Sequence, residues 1–191
     1  MKLVAGLGNP GAKYRGTRHN VGFEVIDLLV GRHKLDLDAA PADALQARWR
    51  RPDDDVLLAK PLTFMNVSGQ AVQALSHFYK VALADVLIVC DDVNLPLGRL
   101  RIRTSGSEGG HNGLRSIAAH FGTIDYARLR VGVGRGDFER DLADHVLARF
   151  EPDEQSGIDA AIARAADAVE TWIADGVLKA MNVFNRSEDN E

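Results

Sequence analysis

The sequence predicts a single α/β domain with a mixed central β-sheet flanked by helices. Short apolar segments alternate along the chain with longer segments of helical period, an order typical of this class. Residues 86–90 form a continuous apolar run, as expected for a central strand covered on both faces. A length of 191 residues, with 46% hydrophobic and 26% charged residues, fits one globular domain. We therefore expect residues 1–191 to form one domain, with a C-terminal helical segment at about 151–185 packed on it.

The first half of the chain predicts two helices and three strands. Residues 2–7 form a short apolar run that ends in glycines, which predicts a buried strand followed by a turn. Apolar residues at helical spacing predict a helix over 17–31 and a second one over 66–80. Between them, residues 45–50 and 55–60 alternate in the way that paired strands do.

The second half continues the alternation of strands and helices. After the central strand at 86–90, alternating residues predict a strand at 99–103, and a Ser/Gly-rich loop leads into a helix. An apolar stripe on every third or fourth residue marks the last long helix. The expected elements are helices at about 112–121, 138–148 and 155–175, and a further strand at 127–133.

Composition excludes several classes of protein. One cysteine, Cys90, allows neither an internal disulfide nor a cysteine metal cage, so we expect a reducing, cytoplasmic environment. The apolar runs are too short to cross a bilayer, so no membrane association is expected. The net charge of -4 argues against an indiscriminate nucleic-acid binder. That charge is divided unevenly, because residues 1–136 hold 18 basic and 13 acidic residues and residues 137–191 hold 5 and 14.

The glycine segment GLGNPG at residues 6–11 matches the G-x-G-x-x-G pattern of dinucleotide sites. In such sites the helix begins within the glycines, so that its amides hold the pyrophosphate. Here Asn9 and Pro10 interrupt the pattern, and the helix start lies near Thr17. Two interpretations stay open: a nucleotide site, which these features disfavour, and a tight loop that places Asn9 beside the end of the strand.

A histidine and an aspartate suit general-base chemistry. Asp91 follows the central apolar strand, and ligands of open α/β sheets bind at the carboxyl ends of such strands. There Asp91 would fix the tautomer of His19, which we place in the first turn of the first helix, and raise its basicity. The alternative roles are a turn or cap for Asp91 and a simple polar contact for His19. Asp92 would point the other way, toward solvent.

Three asparagines stand at predicted element boundaries, namely Asn9, Asn66 and Asn112. Each one alone is typical of a cap or a turn. Together with the histidine and the aspartate, their amides would suit hydrolysis of an acyl bond by an activated water. The chain has no G-x-S-x-G or H-E-x-x-H motif that would favour another hydrolytic chemistry.

Basic residues alternate on two predicted strands. Arg99, Arg101 and Arg103 share one face of the first strand. Arg128 and Arg130 do the same on the second. Between these strands, the glycine-rich loop at 105–112 opens a helix, and such loops bind anions. The alternatives are a solvated strand face and a phosphate-binding surface, and Glu108 within the loop counts against an anion bound directly there.

Five motifs in this order resemble those of the bacterial peptidyl-tRNA hydrolase family. They span about residues 2 to 185, nearly the whole chain, and their order and spacing make the resemblance specific. The motifs are GLGNPG at 6–11 with Tyr14, TRHNVG at 17–22, KPLTFMNVSG at 60–69, Asp91-Asp92 with Leu95-Pro96, and GGHNGL at 109–114.

The resemblance implies hydrolysis of the ester that joins a peptide to the 3′ end of tRNA, which releases tRNA for reuse. By position, it implies that His19 is the general base, that Asp91 orients it, and that no metal or organic cofactor takes part. The family is typically monomeric. The implied catalytic set is completed by Asn9 and Asn112; the substrate-binding set is Tyr14, Phe64, Met65, Asn66 and Asn112; the tRNA phosphate-binding set is Arg103, Arg130 and Arg101.

Two positions depart from the family pattern. Asn94 stands where the family often has an aspartate, and Glu108 lies in the glycine loop, where it would alter contacts with the acceptor stem. Neither belongs to the catalytic set. The alternative functions are a non-catalytic RNA-binding module on the same fold and a nucleotide-dependent enzyme that uses residues 6–11.

Overall fold

Seven strands form one mixed sheet in the computed structural model, which describes residues 1–136 and 141–186. In sequence order the strands are β1 (Lys2–Gly6), β2 (Asp38–Ala39), β3 (Ala44–Trp49), β4 (Val56–Pro61), β5 (Val86–Asp92), β6 (Leu100–Arg103) and β7 (Ala127–Gly132). Their spatial order is β2-β3-β4-β1-β5-β7-β6. The four middle strands, β4, β1, β5 and β7, run parallel, whereas β2, β3 and β6 join through antiparallel pairs. The predicted mixed α/β sheet is confirmed.

Helices cover both faces of this sheet. They are α1 (Val21–Arg32), α2 (Ser68–Phe78), α3 (Asn112–Phe121), α4 (Leu142–Val146), α5 (Gln155–Asp175) and α6 (Val177–Phe184). Because side chains alternate across a strand, β1 supplies both cores. Val4 belongs to the core that includes apolar residues of α1, α5 and α6, while Leu3 and Ala5 belong to the core on the other face, with residues of α2 and α3. Within the described ranges, none of the helices is both long and apolar enough to cross a bilayer.

Several element boundaries differ from the sequence prediction. A 3-10 turn over Arg18–Asn20 precedes α1, so His19 lies before the helix and not in its first turn. A similar turn over Met65–Val67 precedes α2. The two-residue strand β2 was not predicted. The helical segment predicted at about 151–185 is divided into α5 and α6 at Gly176. Of the helix predicted at 138–148, residues 138–140 lie outside the described part, and α4 covers only Leu142–Val146 of the rest.

The outer edge of β6 is completed by a side chain. The amide of Asn185 accepts a hydrogen bond from the Ile102 N–H at 2.7 Å and donates one to the Ile102 carbonyl at 2.9 Å. Asn185 follows α6, which contacts β6 directly. The C-terminal helix is therefore tied to the same strand that carries Arg101 and Arg103.

Two glycines allow α1 to lie directly on the sheet. A Cβ added to Gly22 would lie 2.5 Å from both the Leu7 nitrogen and the Val89 oxygen, and one added to Gly6 would lie 2.1 Å from the Gly22 oxygen. Gly6 therefore serves helix–strand packing, and α1 begins well after residue 11. These contacts favour the tight-loop interpretation of the GLGNPG segment over a nucleotide site.

Gly22→Ala is expected to lower the free energy of unfolding by about 1–3 kcal/mol, because the added methyl overlaps backbone atoms of Leu7, just after β1, and of Val89 in β5. Gly31→Ala in the same helix is the matched control, since a Cβ there meets nothing within 4 Å. It is expected to be neutral or to stabilise the protein by up to about 1 kcal/mol. Urea unfolding measures both variants, and equal effects would contradict the close packing of α1.

Candidate active site

A buried histidine–aspartate pair lies at the carboxyl end of β5. His19 Nδ1 is 2.9 Å from both carboxylate oxygens of Asp91. The His19 side chain is 10% exposed and that of Asp91 is 1% exposed. Because Nδ1 donates to Asp91, Nε2 carries the lone pair and is the basic nitrogen of His19. The predicted pairing of these two residues is thus present in the structure.

Opposing effects set the pKa values of this pair. Burial raises the pKa of Asp91, but the charges and hydrogen bonds of His19 and His111 outweigh it and hold this pKa well below its ordinary range. Burial lowers the pKa of His19, whereas the charge and hydrogen bond of Asp91 raise it, and the net pKa lies above 6.5. Asp91 is therefore a carboxylate at neutral pH, and His19 is a stronger base than free imidazole.

A second histidine donates to the same carboxylate. His111 Nε2 lies 2.8 Å from Asp91 Oδ1. Its Nδ1 accepts hydrogen bonds from the N–H groups of Gly113 and Leu114, at 3.0 and 3.2 Å, and so caps the N-terminus of α3. An Nδ1 that accepts two backbone N–H groups carries no hydrogen, so Nε2 carries it and donates to Asp91. The sequence placed His111 in a motif without assigning it a role.

Asn20 fixes the loop that carries Asn9. Its side chain accepts from the Asn9 N–H at 2.8 Å and donates to the Asn9 carbonyl at 3.0 Å. Asn9 Oδ1 in turn accepts from the Met65 N–H at 2.8 Å. Among the described residues, no hydrogen bond occupies Asn9 Nδ2, which leaves these N–H groups available to a ligand. Sequence reasoning missed Asn20, although it follows His19 directly.

The other predicted site residues do not all line the same cavity as His19 and Asp91. Asn112 lines a cavity of about 260 Å³ together with His19, Asp91 and His111. Asn9 lines a second cavity, of about 270 Å³, while Asn66 is exposed and lines neither. The substrate-binding set shows an aromatic contact, because the Tyr14 and Phe64 rings meet edge to face at 6.4 Å. Met65 is buried beside them, whereas Phe64 is 56% exposed.

The predicted basic face contains two exposed arginines and two that are bonded to neighbouring groups. Arg101 lies opposite Arg130 and Arg103 opposite Arg128 in the β6–β7 pair. Arg101 and Arg103 are exposed. Arg128, predicted to share that face, is buried instead and donates to the carbonyls of Gly106, Ile124 and Tyr126. The loop covers Arg128, an arrangement that strand alternation alone does not reveal.

Arg130 holds the glycine-rich loop at 105–112 and is itself paired with Asp92. Arg130 Nη2 donates to the Ser107 carbonyl at 2.5 Å, and its Nη1 lies 3.4 Å from Asp92 Oδ2. Asp92 Oδ1 also accepts from the Asn94 N–H. The prediction that Asp92 faces solvent is therefore wrong, because this side chain is buried and bonded to two partners.

The two departures from the family pattern have local partners. Asn94 accepts from Arg135 Nη2 at 2.7 Å and donates weakly to the Gly109 carbonyl at 3.4 Å. The Glu108 carboxylate lies 3.6 Å from Arg115 Nε on α3. Both side chains thus hold the loop through neighbouring groups.

His19, Asp91 and His111 are residue types that bind metal ions, but the ring nitrogen of His111 that faces Asp91 carries a hydrogen. The ligand atoms of His19, Asp91 and His111 lie within 4.8 Å of one another. Coordination through His111 Nε2 would move the ring hydrogen to Nδ1, where it would face the N–H groups of Gly113 and Leu114. This donor set suits the hydrogen-bonded arrangement better than a metal ion.

Comparison with known proteins gives consistent matches over the whole chain. Residues 3–191 match the model of a family described as peptidyl-tRNA hydrolase. Peptidyl-tRNA hydrolase of Halalkalibacterium halodurans is 44% identical over 185 residues, covering 97% of this chain and 100% of that protein. That of Chloroflexus aurantiacus is 47% identical, covering 97% and 99%. A crystal structure of peptidyl-tRNA hydrolase from Acinetobacter baumannii has a TM-score of 0.89 at 39% identity, covering 97% of this chain and 94% of that one.

Asp91→Asn is expected to bring the pKa of His19 below 6.5, because burial still lowers this pKa while the charge that raises it is gone. NMR titration of the imidazole measures the shift. Asp85→Asn is the control, since Asp85 lies at the opposite end of β5, about 20 Å away along the strand. A His19 pKa that stays above 6.5 in the Asp91 variant would contradict the assigned cause.

Proposed function

This chain belongs to the peptidyl-tRNA hydrolase family, and from its site geometry we propose that His19 is the general base of the hydrolysis of peptidyl-tRNA. The single observation that carries this proposal is the buried His19–Asp91 pair, with Nε2 left as the basic nitrogen. The non-catalytic RNA-binding alternative gives this pair no role.

In the proposed reaction, His19 Nε2 takes a proton from a water molecule, and the water oxygen attacks the ester carbonyl. The tetrahedral intermediate then breaks its bond to the ribose oxygen, which takes the proton back from the imidazolium. Asp91 keeps the ring in the reactive tautomer and stabilises the imidazolium while it exists. The products are the free peptide acid and tRNA, with no covalent enzyme intermediate.

Asparagine amides would stabilise the negative charge of that intermediate. Asn9 Nδ2 has no hydrogen-bond partner among the described residues, and its direction is fixed because Oδ1 already accepts from the Met65 N–H. Asn112 lies on the wall of the His19 cavity, where its amide would position the water and the carbonyl. Amides held in place by the protein stabilise an oxyanion without reorganising, which is why they are effective.

The remaining substrate contacts would be made by the Tyr14–Phe64 aromatic pair with its neighbours and by arginines of β6 and β7. Tyr14, Phe64 and Met65 would line the site of the terminal ribose and base, and Asn66 would hold the peptide backbone. Arg103 and Arg130 would clamp the 5′ phosphate of tRNA, with Arg101 beside them. Support comes from the exposure of Arg101 and Arg103 and from the shared face of the β6–β7 pair.

Some expectations about the whole protein remain predictions. We propose that the protein acts as a cytoplasmic monomer on the acceptor stem and 3′ end of peptidyl-tRNA. We further propose that it uses no metal or organic cofactor. We also propose that residues 1–191 form one domain, as the length and composition of the chain predict.

His19→Ala is expected to lower kcat by about 10²–10⁴-fold and to leave KM nearly unchanged, because the ring activates water and does not hold the substrate. Steady-state cleavage of peptidyl-tRNA measures both constants, and His77→Ala, on the exposed surface of α2, is the control. The wild-type kcat/KM should rise with pH through an apparent pKa above 6.5, since only neutral His19 accepts a proton. Near-parental turnover in the His19 variant would sink the assignment.

Arg103→Ala is expected to raise KM for peptidyl-tRNA about tenfold or more, the effect of losing one hydrogen bond to a charged group. The same substrate without its 5′ phosphate should show almost no change. Arg50→Ala removes an equal charge beyond β3, toward the opposite side of the sheet from β6, and controls for general electrostatic attraction. Equal losses on both substrates would refute the phosphate contact. Arg130→Ala should affect both substrates, because Arg130 also holds Ser107.

A further inference from the structure

Arg18 is a buried charged residue to which the proposed mechanism gives no role. It lies beside His19 in the 3-10 turn that precedes α1, yet its side chain is only 3% exposed. Burying a guanidinium is costly unless hydrogen bonds and an opposite charge compensate. The groups that bond to it lie 127 to 136 residues further along the chain. The buried charge therefore connects two distant parts of the sequence.

The guanidinium holds the chain that follows α4. Nη1 donates to the Arg149 carbonyl at 2.8 Å and to the His145 carbonyl at 3.3 Å, and Nη2 donates to Glu154 Oε1 at 2.7 Å. The backbone N–H of Arg18 adds a hydrogen bond to the Ala148 carbonyl at 3.0 Å. One residue is thus bonded at four points to the chain between α4 and the start of α5.

Two neighbouring contacts reinforce this attachment. Thr17 pairs with Arg149 in an isolated antiparallel bridge. The Arg18 guanidinium also lies over the Phe150 ring, 5.2 Å from its centroid, and Phe150 packs in turn against the core that α1 and α5 share. The turn before α1 and the segment after α4 therefore form one packed unit.

The held segment carries one wall of the His19 cavity. Three apolar residues of α4 line the same cavity of about 260 Å³ as His19, namely Leu142, Ala143 and Val146. A helix of five residues is too short to be stable through its own hydrogen bonds. On one side His145 Nε2 donates to the Gly134 carbonyl at 3.0 Å, and Arg18 supplies the hydrogen bonds at the C-terminal end. The position of this wall therefore depends on Arg18.

We propose that Arg18 is a positioning residue, which fixes the distance between α4 and the turn that carries His19 and thereby the width of the substrate cavity. The inference rests on the proposed hydrolysis of peptidyl-tRNA at His19. Arg18 lines neither of the two cavities, so it acts on the substrate through α4. The base is held separately by Asp91. Substrate binding therefore depends on Arg18 more than the chemical step does.

Arg18→Lys tests this role, because lysine keeps the charge but offers one nitrogen in place of two with fixed directions. The variant is expected to raise KM for peptidyl-tRNA about tenfold, since small displacements of a positioning group have effects of this size or larger. It should change kcat by less than about twofold. A protein that is merely destabilised would lose active molecules and keep its KM, so both constants are measured where thermal unfolding shows the variant to be folded.

Arg32→Lys is the matched control. Arg32 Nη1 pairs with Asp167 and its Nη2 donates to the Ala163 carbonyl, so it too joins α1 to a later part of the chain. It lies at the other end of α1 from the site, and its KM and kcat should be parental. Glu154→Gln weakens the Arg18 attachment from the partner side and should raise KM in the same direction, which keeps the test decisive if Arg18→Lys does not fold.

A double-mutant cycle identifies the route of the effect. Val146→Ala removes part of the α4 wall and is expected to raise KM by itself, because it widens the cavity. If Arg18 acts through this wall, the rise in KM of the double variant should be smaller than the product of the two separate rises. Two effects that simply multiply would overturn the proposal.

Hydrogen exchange tests the attachment without relying on activity. The N–H groups of His145 and Ala148 are bonded within α4 and just after it. Their exchange should be about tenfold faster in Arg18→Lys and unchanged in Arg32→Lys, because it reports local opening of this segment. Equal exchange in all three proteins would overturn the proposal.

The remaining outcomes separate this inference from the function on which it rests. A folded Arg18→Lys protein with parental KM overturns the inference. A loss confined to kcat, or a changed His19 pKa in the NMR titration, overturns it as well, because Arg18 would then act on the base. If the wild-type protein does not cleave peptidyl-tRNA, the proposed function itself fails, whereas hydrogen exchange still decides whether Arg18 holds α4.

Discussion

The buried carboxylate of Asp91 is the constraint on which the site depends. A carboxylate whose side chain is only 1% exposed is tolerated because two imidazole N–H groups donate to it. Its lowered pKa adds stability above its unfolded value of 3.8, and this is lost as pH falls toward the folded pKa. The raised pKa of His19 adds stability below 6.5, which is lost as pH rises through the folded pKa.

The elements around Asp91 hold the two donors, His19 and His111, in place. His111 reaches Asp91 only because its other nitrogen caps α3, so the position of that helix and the state of the carboxylate are coupled. His19 lies in the turn just before α1, and Gly22 allows this helix to approach the ends of β1 and β5. Asn20, from the same turn, orders the Asn9 backbone. One turn of chain thus carries the predicted base and orders the loop that holds Asn9, the predicted oxyanion donor.

Most of the fold could be predicted from the sequence, because apolar period and glycine turns mark regular elements directly. The failures were at places where contacts between distant residues decide. Alternation along β7 predicted an accessible Arg128, but the loop after β6 folds over it and supplies carbonyl acceptors. Asp92 was expected in solvent for the same reason. The role of His111 depends on which ring nitrogen faces α3, and no sequence pattern records that. A two-residue strand such as β2 is too short to have a period.

The side-chain amide of Asn185 also affects whether two copies of this protein can pair through the edge of β6. A sheet edge normally presents unpaired N–H and C=O groups that attract another strand, and such pairing leads to fibres or swapped dimers. On β6 both edge groups of Ile102 are already taken, between two like-charged residues that repel an identical strand. The β6 edge is thereby protected at Ile102 from pairing with the same strand of another copy, while the side chains of Arg101 and Arg103 stay exposed.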